Sequence, residues 1–228
     1  MEILRGEYLL KKLFIAIRQG DLQLVKEVLE KNPKLINCTA KQPPKKDDGQ
    51  SPLQVAIKSG NFHIAEYLID FGADLNFIEI ESCNEWKMPV LQDAIMAAVM
   101  NARFLASTYS NGGKTWELHR TKEQFVTAFN ILSKMLELGA DINCHDSYGN
   151  SSLGRAILDA KQILPRKRYN DPTWIDERPL NNELKEDLTL IFNLLLQYGA
   201  DVNEVDKKTG KSLLEFNKHE YVAQFITQ

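Results

Sequence analysis

The residues best suited to catalysis or metal binding are few and widely spaced in this 228-residue sequence. Its three cysteines stand at positions 38, 83 and 144, and no pair of them has the spacing of a metal-binding motif. His145, between Cys144 and Asp146, would need ligands from distant parts of the chain to hold a metal ion. We therefore predict no catalytic centre, no metal site and no bound cofactor.

One glycine-containing segment has a partial likeness to a nucleotide-binding motif. Asn111–Thr115 ends in Gly-Lys-Thr, as a phosphate-binding loop does. The first glycine of such a loop would stand at position 108, which is a threonine, and no buried strand precedes the segment. We predict a flexible surface loop here.

The charge balance argues against a nucleic-acid-binding protein. Lys and Arg number 28 against 31 Asp and Glu, a net charge of −3, whereas nucleic-acid binders usually carry a basic excess. The run Arg166–Arg168 is basic, but residues 162–187 hold five basic and six acidic side chains. This mixture favours a protein partner.

The apolar segments indicate no membrane span. The apolar run Leu13–Ile17 is far shorter than the roughly 20 residues that a bilayer crossing needs. An odd number of cysteines is more typical of a reducing compartment than of a disulfide framework. We expect a cytoplasmic protein, with a monomer favoured.

Two phrases recur along the chain and predict its architecture. The glycine of the first can take the left-handed conformation that ends a helix, and the serine of the second can cap the amides that begin the next one. Together they predict a unit of turn, helix, tight turn and helix. The first phrase contains Gly-Ala-Asp-x-Asn and lies at 68–76, 135–143 and 195–203. The second is Gly-x-Ser-x-Leu and lies at 49–53, 149–153 and 210–214.

These phrases resemble the ankyrin repeat, a helix pair followed by a projecting finger. Ser51–Ala56 reads Ser-Pro-Leu-Gln-Val-Ala, close to the family's Thr-Pro-Leu-His-x-Ala. The resemblance implies an all-α fold, an ankyrin-repeat solenoid that forms a single domain over residues 1–228. About five units are expected, at 9–37, 48–76, 88–143, 146–203 and 206–228.

The chain departs from the family pattern in two ways. The first two junctions between units are five or six residues longer than the last two, which predicts two long fingers. The second unit takes 23 residues from Leu53 to Asn76, whereas the third takes 52 between the matching positions. The extra residues fall between the helices of units three and four, at about 102–121 and 162–186. Both insertions leave the same edge of the stack, so we expect them to be neighbours.

The insertions are rich in aromatic and apolar residues, which disordered linkers normally lack. Trp116 lies in the first and Trp174 in the second, and Trp, Tyr and Arg are the residue types most enriched at binding hot spots. The resemblance further implies that finger tips and inner helices contact a protein partner. The candidate contacts are Arg18, Gln50, Lys58, Phe77, Trp86, Met96, Trp116, Tyr148, Asn150, Leu158, Arg166, Lys167, Arg168, Tyr169, Trp174, Lys207 and Lys208.

The leading hypothesis is a non-catalytic module that binds another protein and acts by occupying its surface. An adaptor or an inhibitor would work in this way, including an immunity-type protein that neutralises a toxin. One alternative is an enzyme or regulatory subunit with a site between the insertions, using His119, Arg120, Asp176 and Glu177. Another is a binder of nucleic acid or anionic lipid through residues 166–168.

Overall fold

A computed structural model shows a row of helix pairs. It describes the backbone of residues 2–110, 112–165, 167–168, 171–175, 177–205 and 209–227, and the side chains of 6–109, 112–165, 177–205 and 209–227. The helices of these ranges are α1 (Glu2–Gln19), α2 (Leu22–Lys31), α3 (Pro52–Lys58), α4 (Phe62–Asp70), α5 (Val90–Met100), α6 (Lys122–Glu137), α7 (Ser152–Ile163), α8 (Asn182–Gln197), α9 (Leu213–Asn217) and α10 (Ala223–Ile226). The strands are β1 (Leu105–Ser110), β2 (Gly113–Leu118), β3 (Lys167–Arg168) and β4 (Asp171–Ile175).

Serine side chains begin the first helix of three pairs, as the Gly-x-Ser-x-Leu phrase predicts. Ser51 Oγ accepts the amide of Gln54 at 3.2 Å, and the Gln54 side chain accepts the amide of Ser51 in return. Ser151 and Ser212 accept the amides three residues further on, at 3.2 and 3.1 Å. Each such cap stabilises its helix by about 1 kcal/mol.

The Gly-Ala-Asp-x-Asn phrase ends one helix and joins it to the next pair. Gly72 takes a left-handed φ of 96°, which an L side chain rarely adopts, and the amide of Ala73 closes the end of α4. Asp74 then accepts the amide of Asn76 at 2.9 Å. Asn76 in turn accepts the amide of Asp141 at 2.7 Å, across 65 residues of sequence. The stack therefore continues past the first insertion without a break.

One hydrophobic core passes through the described helix pairs. It includes Leu13, Ile57, Ile95, Phe192 and Phe225, one from each successive pair, all at most 2% exposed. Burial of a side chain of this size stabilises the fold by about 1.5–3 kcal/mol. The rings of Phe192 and Phe225 stack with centroids 5.8 Å apart, which seals the last pair onto α8.

The helix pairs differ in length, and this creates a step on one edge of the stack. α3 and α4 have 7 and 9 residues, whereas α5 and α6 have 11 and 16. Part of the extra sequence in the third pair therefore extends its helices beyond the second pair. On the other side α7 and α8, with 12 and 16 residues, nearly match α5 and α6.

Both insertions contain an antiparallel β-hairpin, which the sequence analysis did not predict. Leu105 of β1 pairs with Leu118 of β2, and Lys167 of β3 pairs with Ile175 of β4. The mostly helical architecture is confirmed, with these small sheets added to it. The signal for the first hairpin was the dipeptide at 111–112, Asn-Gly, which is typical of two-residue hairpin turns and which we interpreted as a flexible loop.

Candidate functional site

Trp86 of the second long finger is held by the finger that follows. Its Nε1 donates to Asp146 Oδ2 at 2.9 Å. Asp146 also accepts the amides of Tyr148 and Asn150, both at 2.9 Å, and the side-chain nitrogen of Asn150 at 2.8 Å. Its two carboxylate oxygens thus accept four hydrogen bonds. Two of the predicted partner contacts, Trp86 and Asn150, serve here to join neighbouring fingers.

The ring of Trp86 is also packed against helix α7. The Arg155 guanidinium carbon lies 5.0 Å from the ring centroid, a cation–π distance. Arg155 donates from Nε to Asp159 Oδ2 at 2.9 Å and pairs with the other oxygen through Nη2. Burial raises the pKa of Asp159, and the hydrogen bonds and charge of Arg155 oppose that rise. Trp86 therefore packs the second long finger against helix α7.

Three more predicted contacts have internal partners. Arg18 donates from Nη1 to Asp47 Oδ2 at 2.7 Å. Gln50 is 1% exposed, and its Nε2 donates to Glu79 Oε2 at 3.3 Å. Phe77 is half-buried and packs against the core. Burial removes Gln50 from the accessible surface, which corrects its prediction as a partner contact.

The other candidates with described side chains are accessible. Tyr148 is 54% exposed and Leu158 is 43% exposed. Lys58 is exposed as well, and Met96 and Trp116 are half-buried. The Nζ of Lys114 lies 4.6 Å from the centroid of the Trp116 ring, within cation–π distance.

Seven candidates lie outside the described side chains. The backbone of the β3–β4 hairpin is described and includes three of them, Lys167, Arg168 and Trp174. Their contribution to binding stays a prediction. The full set is Arg166, Lys167, Arg168, Tyr169, Trp174, Lys207 and Lys208.

An open groove of about 740 Å³ lies at the step between the second and third helix pairs. We call it the step groove. It brings together Lys58 and Met96, which were predicted as contacts, with residues that were not. Its apolar wall is formed by Ile57, Phe62, Met96, Ala97 and Met100. Its charged residues are Lys58, Asp93, Arg120 and Glu123.

Asp93 is the buried charged residue of the step groove, at 1% exposure. Its Oδ2 accepts the Nε2 of Gln54 at 2.9 Å, but its Oδ1 has no hydrogen-bond partner in the described part of the chain. Burial raises the pKa of Asp93 to about 7, helped by the charge of Glu79 and opposed by Lys58 and Arg155. A buried carboxylate oxygen without a donor is costly, and a ligand that donates a hydrogen bond would remove that cost.

The β1–β2 hairpin rises next to the step groove and carries exposed apolar side chains. Tyr109 is 78% exposed and Leu118 is 48% exposed. Tyr109 stands opposite Lys114, and Ser107 stands opposite Trp116, so these side chains and Leu118 share one face of the hairpin. Lys114 Nζ lies 3.0 Å from Glu177 of the second insertion. The two insertions therefore touch, although so exposed an ion pair adds little stability.

The base of this hairpin is firmly attached to the stack. The amide of Arg103 donates to Asp187 Oδ2 at 2.8 Å, and its guanidinium reaches the two carboxylate oxygens at 3.0 and 2.7 Å. Asp187 is 0% exposed, and its hydrogen bonds raise the pKa of Arg103. Asn181 adds a bond to the Arg103 carbonyl at 2.8 Å. The hairpin thus starts from a fixed point at the beginning of α8.

The three described residues of the enzyme alternative, His119, Arg120 and Glu177, each contact a different partner. The His119 ring packs against Phe104 with centroids 4.9 Å apart, and Arg120 Nε donates to the Met100 carbonyl at 3.3 Å. Glu177 faces Lys114, and Asp176 lies outside the described residues. Within the described ranges, no three His, Cys, Asp or Glu side chains are arranged to hold a metal ion.

Comparison with known families adds to this geometry. The family model for ankyrin repeats (3 copies) matches residues 13–115. Ankyrin repeats are thus shown for residues 13–115. No curated protein matches it. The matched residues include the second helix pair, the α5 side of the step groove and most of the first hairpin. No helix in the described ranges has both the length and the apolar stretch needed to cross a bilayer.

Sequence reasoning missed Asp93, Met100, Arg120 and Glu123 as members of one site. Two signals could have found them. The excess length of the third unit places the ends of α5 and α6 beyond their shorter neighbour. Asp93 is also the one charged residue of α5, whose sequence Val-Leu-Gln-Asp-Ala-Ile-Met-Ala-Ala-Val-Met is otherwise almost entirely apolar. A lone carboxylate in such a helix is expected to be buried and to need a partner.

Proposed function

We propose that this chain is a non-catalytic protein-binding module and that the step groove and the β1–β2 hairpin form its main contact surface. Ankyrin repeats generally mediate protein–protein interaction, which supports the general role. The choice of surface rests on which buried polar groups already have hydrogen-bond partners inside the chain and which do not. The long fingers bond Trp86 to Asp146 and Gln50 to Glu79, and the Gln50 Oε1 left without a partner there belongs to a neutral amide. The step groove instead combines an apolar wall with an unpartnered buried carboxylate oxygen.

We further propose that the chain forms one stack of five units and acts by stoichiometric occupation of a partner's surface. An adaptor or an inhibitor, such as an immunity-type toxin neutraliser, needs no chemistry of its own for this. The exposed Tyr109 and Leu118 of the β1–β2 hairpin are large apolar side chains that a partner could cover, and a few such buried anchors carry most of the energy of an interface. A cytoplasmic monomer is the state that we propose for the free protein.

The test is affinity purification of the tagged full chain from its native lysate, followed by native mass spectrometry of the complex. We expect one dominant protein in a fixed ratio, lost when Ala97 is changed to Arg in the step groove. Leu190→Arg is the matched control, because Leu190 lies on α8 and is 50% exposed, away from the groove lining.

Two outcomes would overturn the proposal. Equal loss of the partner in both variants would mean that the groove has no special role. Recovery of nucleic acid alone, released as salt is raised, would favour the basic run at 166–168 instead, because phosphate contacts weaken steeply with salt.

A further inference from the structure

The step groove has an unusual combination of an apolar wall and two carboxylates without a cationic partner. Asp93 and Glu123 both line it, and neither forms an ion pair within 4 Å among the described residues. Asp93 is 1% exposed with its Oδ1 unpartnered, whereas Glu123 is exposed at the rim. A guest could therefore meet one carboxylate inside the groove and another at its mouth.

The two cationic side chains that line the groove, Arg120 and Lys58, do not form ion pairs with Asp93 or Glu123. Arg120 is tethered, because its Nε donates to the carbonyl of Met100 at 3.3 Å. Lys58 is on the last turn of α3, exposed, and influences Asp93 through its charge without forming an ion pair with it. Its long stem can turn towards water when a guest enters.

The apolar wall limits what kind of guest fits. Phe62, Met96 and Met100 are half-buried, so each still offers apolar surface to a neighbour. Methionine side chains adapt to irregular shapes and are common at surfaces that receive a partner's side chain. The guest must therefore have an aliphatic stem for the wall and a hydrogen-bond donor at its end.

We infer that the step groove receives a lysine or arginine side chain of the partner protein, with its aliphatic stem on Met96 and Met100 and its cationic end on Asp93, while the charge of Glu123 at the mouth favours the approach of a cation. This inference rests on the proposed function, because it names the chemistry by which that surface recognises its partner. The cationic end supplies the donor that Asp93 Oδ1 lacks, and the pair is shielded from water by the methionines, where charge-assisted hydrogen bonds are strongest.

The test uses a small probe, so it does not depend on knowing the partner. Hexylammonium has an aliphatic stem and a cationic end, and hexan-1-ol has the same stem with a neutral end. Each is titrated into the isotope-labelled full chain at pH 8, and amide shifts are recorded by nuclear magnetic resonance. We expect hexylammonium to shift amides in 93–101 and 120–127 and to bind more tightly than hexan-1-ol.

Two variants make the result decisive. Asp93→Asn removes the charge but keeps the shape, and we expect it to weaken hexylammonium binding about tenfold while sparing hexan-1-ol, as loss of a charged hydrogen bond predicts. Asp48→Asn is the matched control, because Asp48 is a carboxylate outside the groove lining. Equal binding of the two probes, or no effect of Asp93→Asn, would overturn the inference.

The outcomes separate this inference from the proposed function. If the partner protein is lost in Ala97→Arg but the probes show no charge preference, the surface is right and the chemistry assigned to it is wrong. If the charge preference is present but Ala97→Arg still captures its partner, the groove binds a cation and the main protein contact lies elsewhere.

Discussion

The long fingers and the step groove each contain a buried aspartate, but the two carboxylates differ in how many hydrogen bonds they accept. Asp146 on the finger side accepts four hydrogen bonds, including one from Trp86. Asp93 in the step groove accepts one hydrogen bond, and its Oδ1 has no partner in the described part of the chain. Both carboxylates are almost fully buried, at 6% and 1% exposure. The difference teaches that burial of a polar residue does not by itself indicate function, whereas a buried carboxylate oxygen without a donor, beside an open groove, needs an explanation that a bound guest would supply.

The largest effect on stability is expected at the base of the β1–β2 hairpin, where Asp187 of α8 holds Arg103. Asp187→Ala leaves the Arg103 guanidinium and amide without their buried acceptor, at the base of the hairpin. Removal of one partner of a buried ion pair costs about 3–5 kcal/mol. We expect the free energy of unfolding, measured by urea denaturation, to fall by that amount.

A matched control for this change is Glu186→Ala. Glu186 also reaches Arg103, at 3.3 Å, but its side chain is 69% exposed, so its loss should change stability by less than about 1 kcal/mol. If both variants lost the same small amount of stability, the hairpin base would not be the fixed point that the hydrogen bonds indicate.

A pH-dependent effect is expected at Asp93. Burial raises its pKa from 3.8 to about 7, so the folded chain keeps a proton that the unfolded chain has already released above about pH 4. Folding stability should therefore decline between about pH 4 and pH 7, by up to about 1.4 kcal/mol per pH unit. The groups that face Asp93 are Gln54, Lys58, Glu79 and Arg155, and they modify this trend without reversing it.

Asp93→Asn should remove this decline, because an amide does not titrate. We expect the variant to become more stable relative to the parent chain as the pH rises from 5 to 8, measured by urea denaturation at each pH. A constant difference across that range would contradict the raised pKa, because a carboxyl with an ordinary pKa, or one lowered by a paired cation, is ionised in both the folded and unfolded chain above pH 5.

A smaller effect is expected when the contact between the fingers is weakened. Trp86→Phe keeps an aromatic ring over Arg155 but removes the Nε1 donor to Asp146. Loss of one hydrogen bond of this kind costs about 1–3 kcal/mol when the acceptor stays buried, and we expect the lower end because Asp146 keeps three other donors. Thermal unfolding would measure the change, and partner binding should be unaffected. Loss of binding with unchanged stability would instead make Trp86 a direct contact, as the sequence first indicated.

The stack could be predicted from the sequence because its signals are local. Ser51, Gly72 and Asp74 each act on residues close to them in the chain, so each repeat of a phrase predicts one helix end or one turn. The candidate site could not be predicted in the same way. The step groove exists because α5, which ends at Met100, is longer than α3, which ends at Lys58. Whether Trp86 is available to a partner depends on its hydrogen bond to Asp146, 60 residues away. Composition could identify aromatic residues but not their partners.

The smallest effect on stability, and the sharpest test of the comparison, is expected at the groove wall. Met96 is half-buried and lines the step groove, so Met96→Gln should change the free energy of unfolding by only about 0.5 kcal/mol, as for other changes near the surface. Its effect on binding should be far larger, because the aliphatic stem of the partner's side chain would lie on this methionine. Tyr148→Gln on the finger side is the control, since Tyr148 is 54% exposed and its ring has no role in the groove. Isothermal titration with the identified partner should show weaker binding for Met96→Gln alone. The reverse pattern would place recognition on the fingers and leave the step groove without a function.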